Sequence, residues 1–196
     1  MSVRSDSRRE SQSWQTREKR GRLSDPSLVV LDTQSIRAAV AVPSHTTGND
    51  AGKRVRGRKR GLAADVLGLA AAVVVLAASA HDNTADTALL DRAAAQTDTV
   101  QTTLADQGLK NAVADHGAAL GIGVDIIQRN PADRGFVPQP KRWVVEQTYR
   151  TLALHRRLLR DYEHRPASSE SHVYWTMSDA TARRPTHTST PSRRGA

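Results

Sequence analysis

Cysteine is absent from the 196 residues. Disulfide bonds, thiolate metal sites and cysteine nucleophiles are thereby excluded. Aromatic side chains are nearly as scarce, with one Phe, three Trp and three Tyr, so any core must be modest and aliphatic. No apolar run is long enough to cross a membrane. The stretch from 62 to 80 comes closest, but Asp65 and Gly68 interrupt it and leave 12 residues, 69–80, where a spanning helix needs about 20. The first residues carry no apolar h-region, so no secretory signal is expected. What remains is one domain with a real core.

Charge is abundant and unevenly placed. Residues 1–60 carry a net +8, residues 61–137 a net −5 and residues 138–196 a net +6. Positive segments flanking an acidic middle are the pattern of a polyanion binder that also gathers carboxylates. Of the 29 basic residues 24 are Arg, which suits bidentate phosphate contacts, although the abundance of Arg and Ala is equally that of a GC-rich coding sequence.

Along the chain, residues 1–24 are polar and lack an apolar stripe, which predicts a frayed helix or a disordered start. Leu28-Val29-Val30-Leu31 is a short apolar run that stops at Asp32, which reads as a buried strand ending on a carboxylate. A Ser/Thr/Gly/Asn loop from 43 to 52 leads into Lys53-Arg54-Val55-Arg56-Gly57-Arg58-Lys59-Arg60. Six of these eight residues are cationic, and the segment is expected either to lie against phosphates or to stay open as a solvated loop. Two strands follow, 62–65 and 69–79, joined by a turn at 65–68. A helix is expected over 84–95, capped by Thr84 or Asp86. Residues 99–105 are β-branched and end in Ala105-Asp106-Gln107-Gly108. A short helix at 111–121, a strand at 124–127 and a loop at 131–140 come next. Residues 143–163 carry the clearest helical spacing, with a closing helix over 172–182 and a tail that cannot bury anything. Strands first, then alternating helices and strands, predict an α/β fold with helices over a mixed sheet.

Three acidic residues stand out: Asp32 after the first strand, Asp106 after a later one, and Glu146 one turn into the long helix. Glu146 has Arg142 and Arg150 four residues to either side, which alone predicts only a surface ion-pair ladder. Asp65 and Asp82 also lie near strand ends and read as structural.

Taken in order, Val30-Leu31-Asp32-Thr33-Gln34-Ser35, Gly57-Arg58-Lys59-Arg60, Ala105-Asp106-Gln107-Gly108, Arg142-Trp143-Val144-Val145-Glu146, His155-Arg156-Arg157-Leu158 and Asp161-Tyr162-Glu163 resemble the catalytic domain of bacterial insertion-sequence DDE transposases of the insertion sequence four and five group. The resemblance covers residues 21–184, and the ordered set with Arg142 four before Glu146 is its specific part. It implies a ribonuclease H-like fold, with disordered basic termini. It implies that Asp32, Asp106 and Glu146 form a catalytic triad holding two Mg²⁺ (or Mn²⁺) ions for DNA strand cleavage and strand transfer. Lys53, Arg54, Arg56, Arg58, Lys59, Arg60, Lys141, Arg142, Arg156 and Arg157 would contact DNA. The partner would be double-stranded DNA, bound by a homo-oligomer in the bacterial cytoplasm and associated with the nucleoid, with no membrane involved. The expected division is a polar start (1–24), the catalytic domain (25–165), a short closing helix (166–184) and a tail (185–196).

The chain departs from the family pattern at Leu109, where an aromatic is usual, at Arg150, where a small residue is usual, and at Ala153, where a lysine is usual. The family's N-terminal helical DNA-binding region is expected to be missing. A non-catalytic basic DNA-binding remnant and a small ribonuclease H-like nuclease therefore stand as alternative readings.

Overall fold

The first strand, β1 (Leu28–Arg37), carries alternating faces that are both apolar at its start, so it must be covered on both sides. The computed structural model, which describes residues 13–106, 111–127 and 143–186, shows how. β2 (Gly48–Asp50), β3 (Val55–Asp65), β4 (Ala70–Ala77), β5 (Thr102–Asp106) and β6 (Gly123–Ile127) complete a six-stranded sheet. β3 runs antiparallel to β1 along nine residue pairs, and on its other edge pairs with β4 and, at its start, with β2. β5 and β6 are parallel, with β5 against the other edge of β1. An antiparallel meander β1-β3-β4 continued by parallel β5 and β6 is the ribonuclease H-like arrangement expected from the sequence.

Helices cover both faces. We label residues 13–18 α1, and then α2 (Asp82–Gln96), α3 (Asn111–Ala119), α4 (Trp143–Ala153) and α5 (Pro166–Thr186). Side chains alternate along a strand, so Val29, Leu31, Ala63 and Val74 meet Leu89, Leu90 and Ala93 of α2 on one face. Val30, Leu62, Val73 and Leu104 meet Val145 and Leu152 of α4 and Val173 and Met177 of α5 on the other. Gly61 lets α2 come down onto β3, since a Cβ there would sit 2.8 Å from Val74 Cγ2 and 3.0 Å from Leu89 Cδ1. Among the described residues no helix is long and apolar enough to cross a membrane.

Several expectations change. β1 does not end at Asp32 but runs on to Arg37. The cationic stretch is not a loop after Val55: Arg58, Lys59 and Arg60 lie in β3, continuous with the predicted strand 62–65. Arg58 is fully buried, Arg60 is 1% exposed and Lys59 5%, so these three are not available to DNA. Even-numbered Arg58 points to the α5 face. There it donates through Nη1 to both oxygens of buried Asp161 (3.2 and 3.3 Å), and through Nη2 to Thr46 Oγ1 and the His164 carbonyl. Odd-numbered Lys59 points to α2, where Nζ lies 2.7 Å from Asp82.

The helix expected over 143–163 stops at Ala153 for the same reason. Asp161 must reach Arg58, so the chain leaves the helix, makes a 3-10 turn at Arg156–Leu158 and bridges to Ala38. The closing helix is longer than expected, starting with Pro166 at its first position, where its fixed φ suits a helix and its missing N–H is not needed. The cap of α2 is His81, whose Nδ1 accepts from Asn83 N, rather than Thr84 or Asp86. Residues 13–24, expected to be a frayed helix or disordered, start with the helix α1 and are tied down by Arg17, which pairs with Asp65 and donates to the Leu23 and Asp25 carbonyls. The expectations for 1–12, 107–110, 128–142 and 187–196 lie outside the described residues.

The two buried arginines should behave differently. Arg58→Ala strands the Asp161 carboxylate in the interior and should destabilise the fold by roughly 3–5 kcal/mol. Among the described residues Arg60 makes one 3.4 Å bond, to the Leu158 carbonyl, and its Nε has no partner, so Arg60→Met should stay within about 1 kcal/mol of wild type. Urea denaturation of both variants checks the contrast, and equal losses would contradict it.

Candidate carboxylate site

Asp32 and Asp106 come together because the β1–β5 ladder is short. Its last pair is Val30 with Leu104, and each aspartate lies two residues further along its own strand. Both therefore stand at the same level just past the point where adjacent parallel strands part, on the face that holds Val30 and Leu104. Asp32 is half-buried and Asp106 exposed.

Glu146 rides on α4, which packs on that face through Val145, Tyr149 and Leu152. The register of α4 over β1 is fixed by Tyr149. Its hydroxyl lies 2.8 Å from the Asp32 carbonyl and 2.9 Å from that of Arg60, bridging adjacent strands. Burial, with the charge of Asp32 beside it, raises the Tyr149 phenol well above its ordinary pKa, so it stays a neutral donor. Glu146 lies three residues before Tyr149, about 4.5 Å of helix rise. It is half-buried and makes no ion pair with Arg150, so the surface ladder does not form there.

A second group of carboxylates lies at the start of α2. Asp82 accepts from Lys59 Nζ and from Thr33 Oγ1 (2.9 Å). Burial alone would raise its pKa, but those two bonds and the Lys59 charge hold it below the ordinary carboxylate value. One helical turn on, Asp86 is 5% exposed, and no hydrogen bond or ion pair among the described residues meets its carboxyl. Burial first, then the charges of Asp82, Asp32 and Asp106, push its pKa up to about 7, with Lys59 opposing. Yet no three acidic or imidazole groups among the described residues are close enough together to hold a metal ion.

Of the expected DNA contacts, Lys53, Arg54 and Arg56 are exposed at the turn and start of β3, as are Arg156 and Arg157 after α4. Arg157 is engaged by Glu163 at 2.7 Å. Lys141 and Arg142 lie outside the described residues. Asp65 is structural, as expected, accepting from Arg17 and from the backbone of its own turn. The sequence alone marks neither Tyr149 nor Asp86 as a site residue. For Asp86 the available signal was its position four after Asp82, on the arc between Ala85 and Leu89 that faces the core, where like charges repel.

The raised Asp86 carboxyl makes stability depend on pH. Its folded pKa lies above the unfolded value, so the penalty is absent near pH 4 and grows as pH rises towards 7. Above that it is constant, on the order of 4 kcal/mol at most. Asp32, Asp82, Asp106 and Lys59 are the charged groups facing it. Asp86→Asn should match wild type in melting temperature near pH 4 and exceed it by several degrees at pH 8. A difference that does not change with pH would contradict this.

The described geometry meets known proteins at three points. The family model for the transposase DDE domain matches residues 23–177. Among solved structures, the catalytic core domain of BIV integrase is similar with a TM-score of 0.45 and 15% identity over 88% of each chain. The Mos1 mariner paired end complex with Mn is similar with a TM-score of 0.34 and 14% identity, covering all of this chain and 65% of that one. No curated protein matches. With four-fifths of its length inside the family model, the chain belongs to the DDE transposase domain family and is a DDE-type polynucleotidyl transferase.

Proposed function

We propose that this chain cuts and rejoins DNA at the ends of a bacterial insertion sequence of the four and five group, with Asp32, Asp106 and Glu146 as its metal-holding triad. The observation that carries the proposal is the level placement of Asp32 and Asp106 beyond the last β1–β5 pair. The clamp from Tyr149 to the Asp32 carbonyl supports it by tying the Glu146 helix to the same strand.

The donor set fits a divalent cation. Carboxylate oxygens are the hard ligands that Mg²⁺ and Mn²⁺ take. When bound, a metal pair supplies an activated water or 3′-hydroxyl and stabilises the leaving oxygen. The residues do the rest. Asp32 and Asp106 hold one level of the sheet rim. Tyr149 keeps α4 in register, and Glu146, free of Arg150, can close from above. Exposed Lys53, Arg54, Arg56 and Arg156 draw in the phosphate backbone, with Lys141, Arg142 and Arg157 in the same role. The active form is a homo-oligomer assembled on double-stranded DNA near the nucleoid, and the catalytic unit spans residues 25–165 with α5 closing it.

One observation favours a second reading, the non-catalytic DNA-binding remnant: no metal-holding group of three is closed among the described residues. The two are separated by Asp106→Asn. In the transposase reading this substitution abolishes Mn²⁺-dependent cleavage of insertion-sequence ends, by more than about a hundredfold, and leaves duplex affinity within about threefold. This follows because the lost charge faces the metals rather than the phosphates. Equal cleavage by wild type and variant would remove the triad. Absence of cleavage by both, with DNA binding kept, would favour the remnant.

A further inference from the structure

The strand β4, Ala70-Ala71-Ala72-Val73-Val74-Val75-Leu76-Ala77, carries no charge, no proline and no glycine. Such a segment pairs readily with copies of itself wherever its backbone is left open. β4 lies at an edge of the sheet, since among the described strands it pairs with β3 alone. The usual safeguard, a charged side chain on the edge strand itself, is closed to it. Val74 packs against α2, and Val73 against α4 and α5. Both faces of the strand are therefore covered, and a charge on either would be buried.

The outer edge is satisfied by side chains from neighbouring helices instead. Val73 N donates to Tyr174 Oη and Val75 N to Glu170 Oε1, both at 3.0 Å. Arg92 reaches round from α2, donating through Nη1 to the Val73 carbonyl at 2.6 Å and to Glu170 Oε2 at 2.7 Å. The spacing explains the fit. Glu170 and Tyr174 are four residues apart on α5, about 6.0 Å of helix rise. Val73 and Val75 are two residues apart and aim their N–H groups the same way, about 6.8 Å along the strand. One turn of α5, antiparallel to β4, thus presents two acceptors at nearly the repeat of a neighbouring strand. The Arg92–Glu170 ion pair then joins the helices of the two faces across the edge.

We infer that Arg92, Glu170 and Tyr174 form a side-chain clamp that takes the place of an outer strand and blocks β4 from pairing with β4 of a second copy. The blocked contact is isologous: two identical apolar strands meet antiparallel about a twofold axis, each supplying the N–H and C=O groups that the other needs. The inference is independent of the DNA-transposition reading, because β4 and β5 lie on opposite sides of β1.

The test removes both acceptors in Glu170→Ala/Tyr174→Phe. The full chain, without DNA, is followed by sedimentation velocity and by amide exchange over about a hundredfold range of concentration. Glu163→Ala/Tyr162→Phe, the same change of composition in the segment before α5, is the control. At the lowest concentration the Val73 and Val75 amides of the clamp variant should exchange at least about tenfold faster than in wild type. As concentration rises the variant should dimerise and the same two amides regain protection, while wild type and control keep their mass. Glu170→Gln keeps an acceptor for Val75 N and should sediment as wild type does. A clamp variant that keeps the wild-type mass at every concentration would overturn the inference. Equal association of variant and control would overturn it too, since that marks general destabilisation. If the double variant does not melt cooperatively, Tyr174→Phe alone is read by the same criteria at Val73, because it deletes one oxygen and leaves the ring in place.

Discussion

The structure depends on how β1 is paired. On one edge it is held by β3 along nearly its whole length, whereas on the other β5 holds only Leu28, Val29 and Val30. A strand fixed on one side and released on the other keeps its position while exposing an edge. Asp32 stands where that edge opens, and Asp106 stands at the same level on the departing strand. The carboxylate pair thus follows from backbone pairing before any side-chain interaction is considered. Further along, the edge is taken up again by the segment around Asp161, so that the opening is bounded at both ends.

Holding β1 this firmly requires a well-anchored β3, and the anchor is polar. Arg58 and Asp161 bury opposite charges with five hydrogen bonds from Arg58 to side chains and backbone carbonyls, while Ser169 and Glu163 N complete the carboxylate. Such a pair adds little net stability over a well-packed apolar substitute, but breaking it is expensive. What it contributes here is specificity of connection. It decides where α4 must end, where the chain crosses β1 and where α5 begins. The same substitution that weakens the fold would therefore also displace the surface next to the carboxylates.

Much of this could be read from the sequence, for physical reasons that are uneven. Apolar runs such as 28–31 and 72–75 commit to a sheet covered on both faces, and the order of strands and helices then limits the topology. The spacing of Val145, Tyr149 and Leu152 specifies the face of α4. The cationic run misled because local charge predicts solvent, and nothing local announces that Asp161, about a hundred residues away, neutralises Arg58. Asp32 could be found because a carboxylate interrupts an apolar run, although the strand continues beyond it. Asp86 was concealed by its own helix: at the N-terminal turn an aspartate reads as a favourable cap, and only the folded sheet brings other carboxylates towards it. Tyr149 reads as one more apolar residue on a helical stripe, since the use of its hydroxyl depends on which carbonyls lie beneath.

The charge around the rim connects fold and chemistry. Asp82 is neutralised by Lys59 and Thr33, whereas Asp86 has no partner among the described residues and titrates at about 7. Carboxylates gathered to hold a cation repel one another in its absence, which is the expected compromise between stability and function. The most direct test of the central claim is anomalous diffraction from crystals soaked in Mn²⁺. The account predicts a Mn²⁺ peak within about 2.5 Å of carboxylate oxygens of both Asp32 and Asp106, with the Glu146 carboxylate turned towards it. Mn²⁺ found only at Asp82 and Asp86, or nowhere near Asp32, would contradict it.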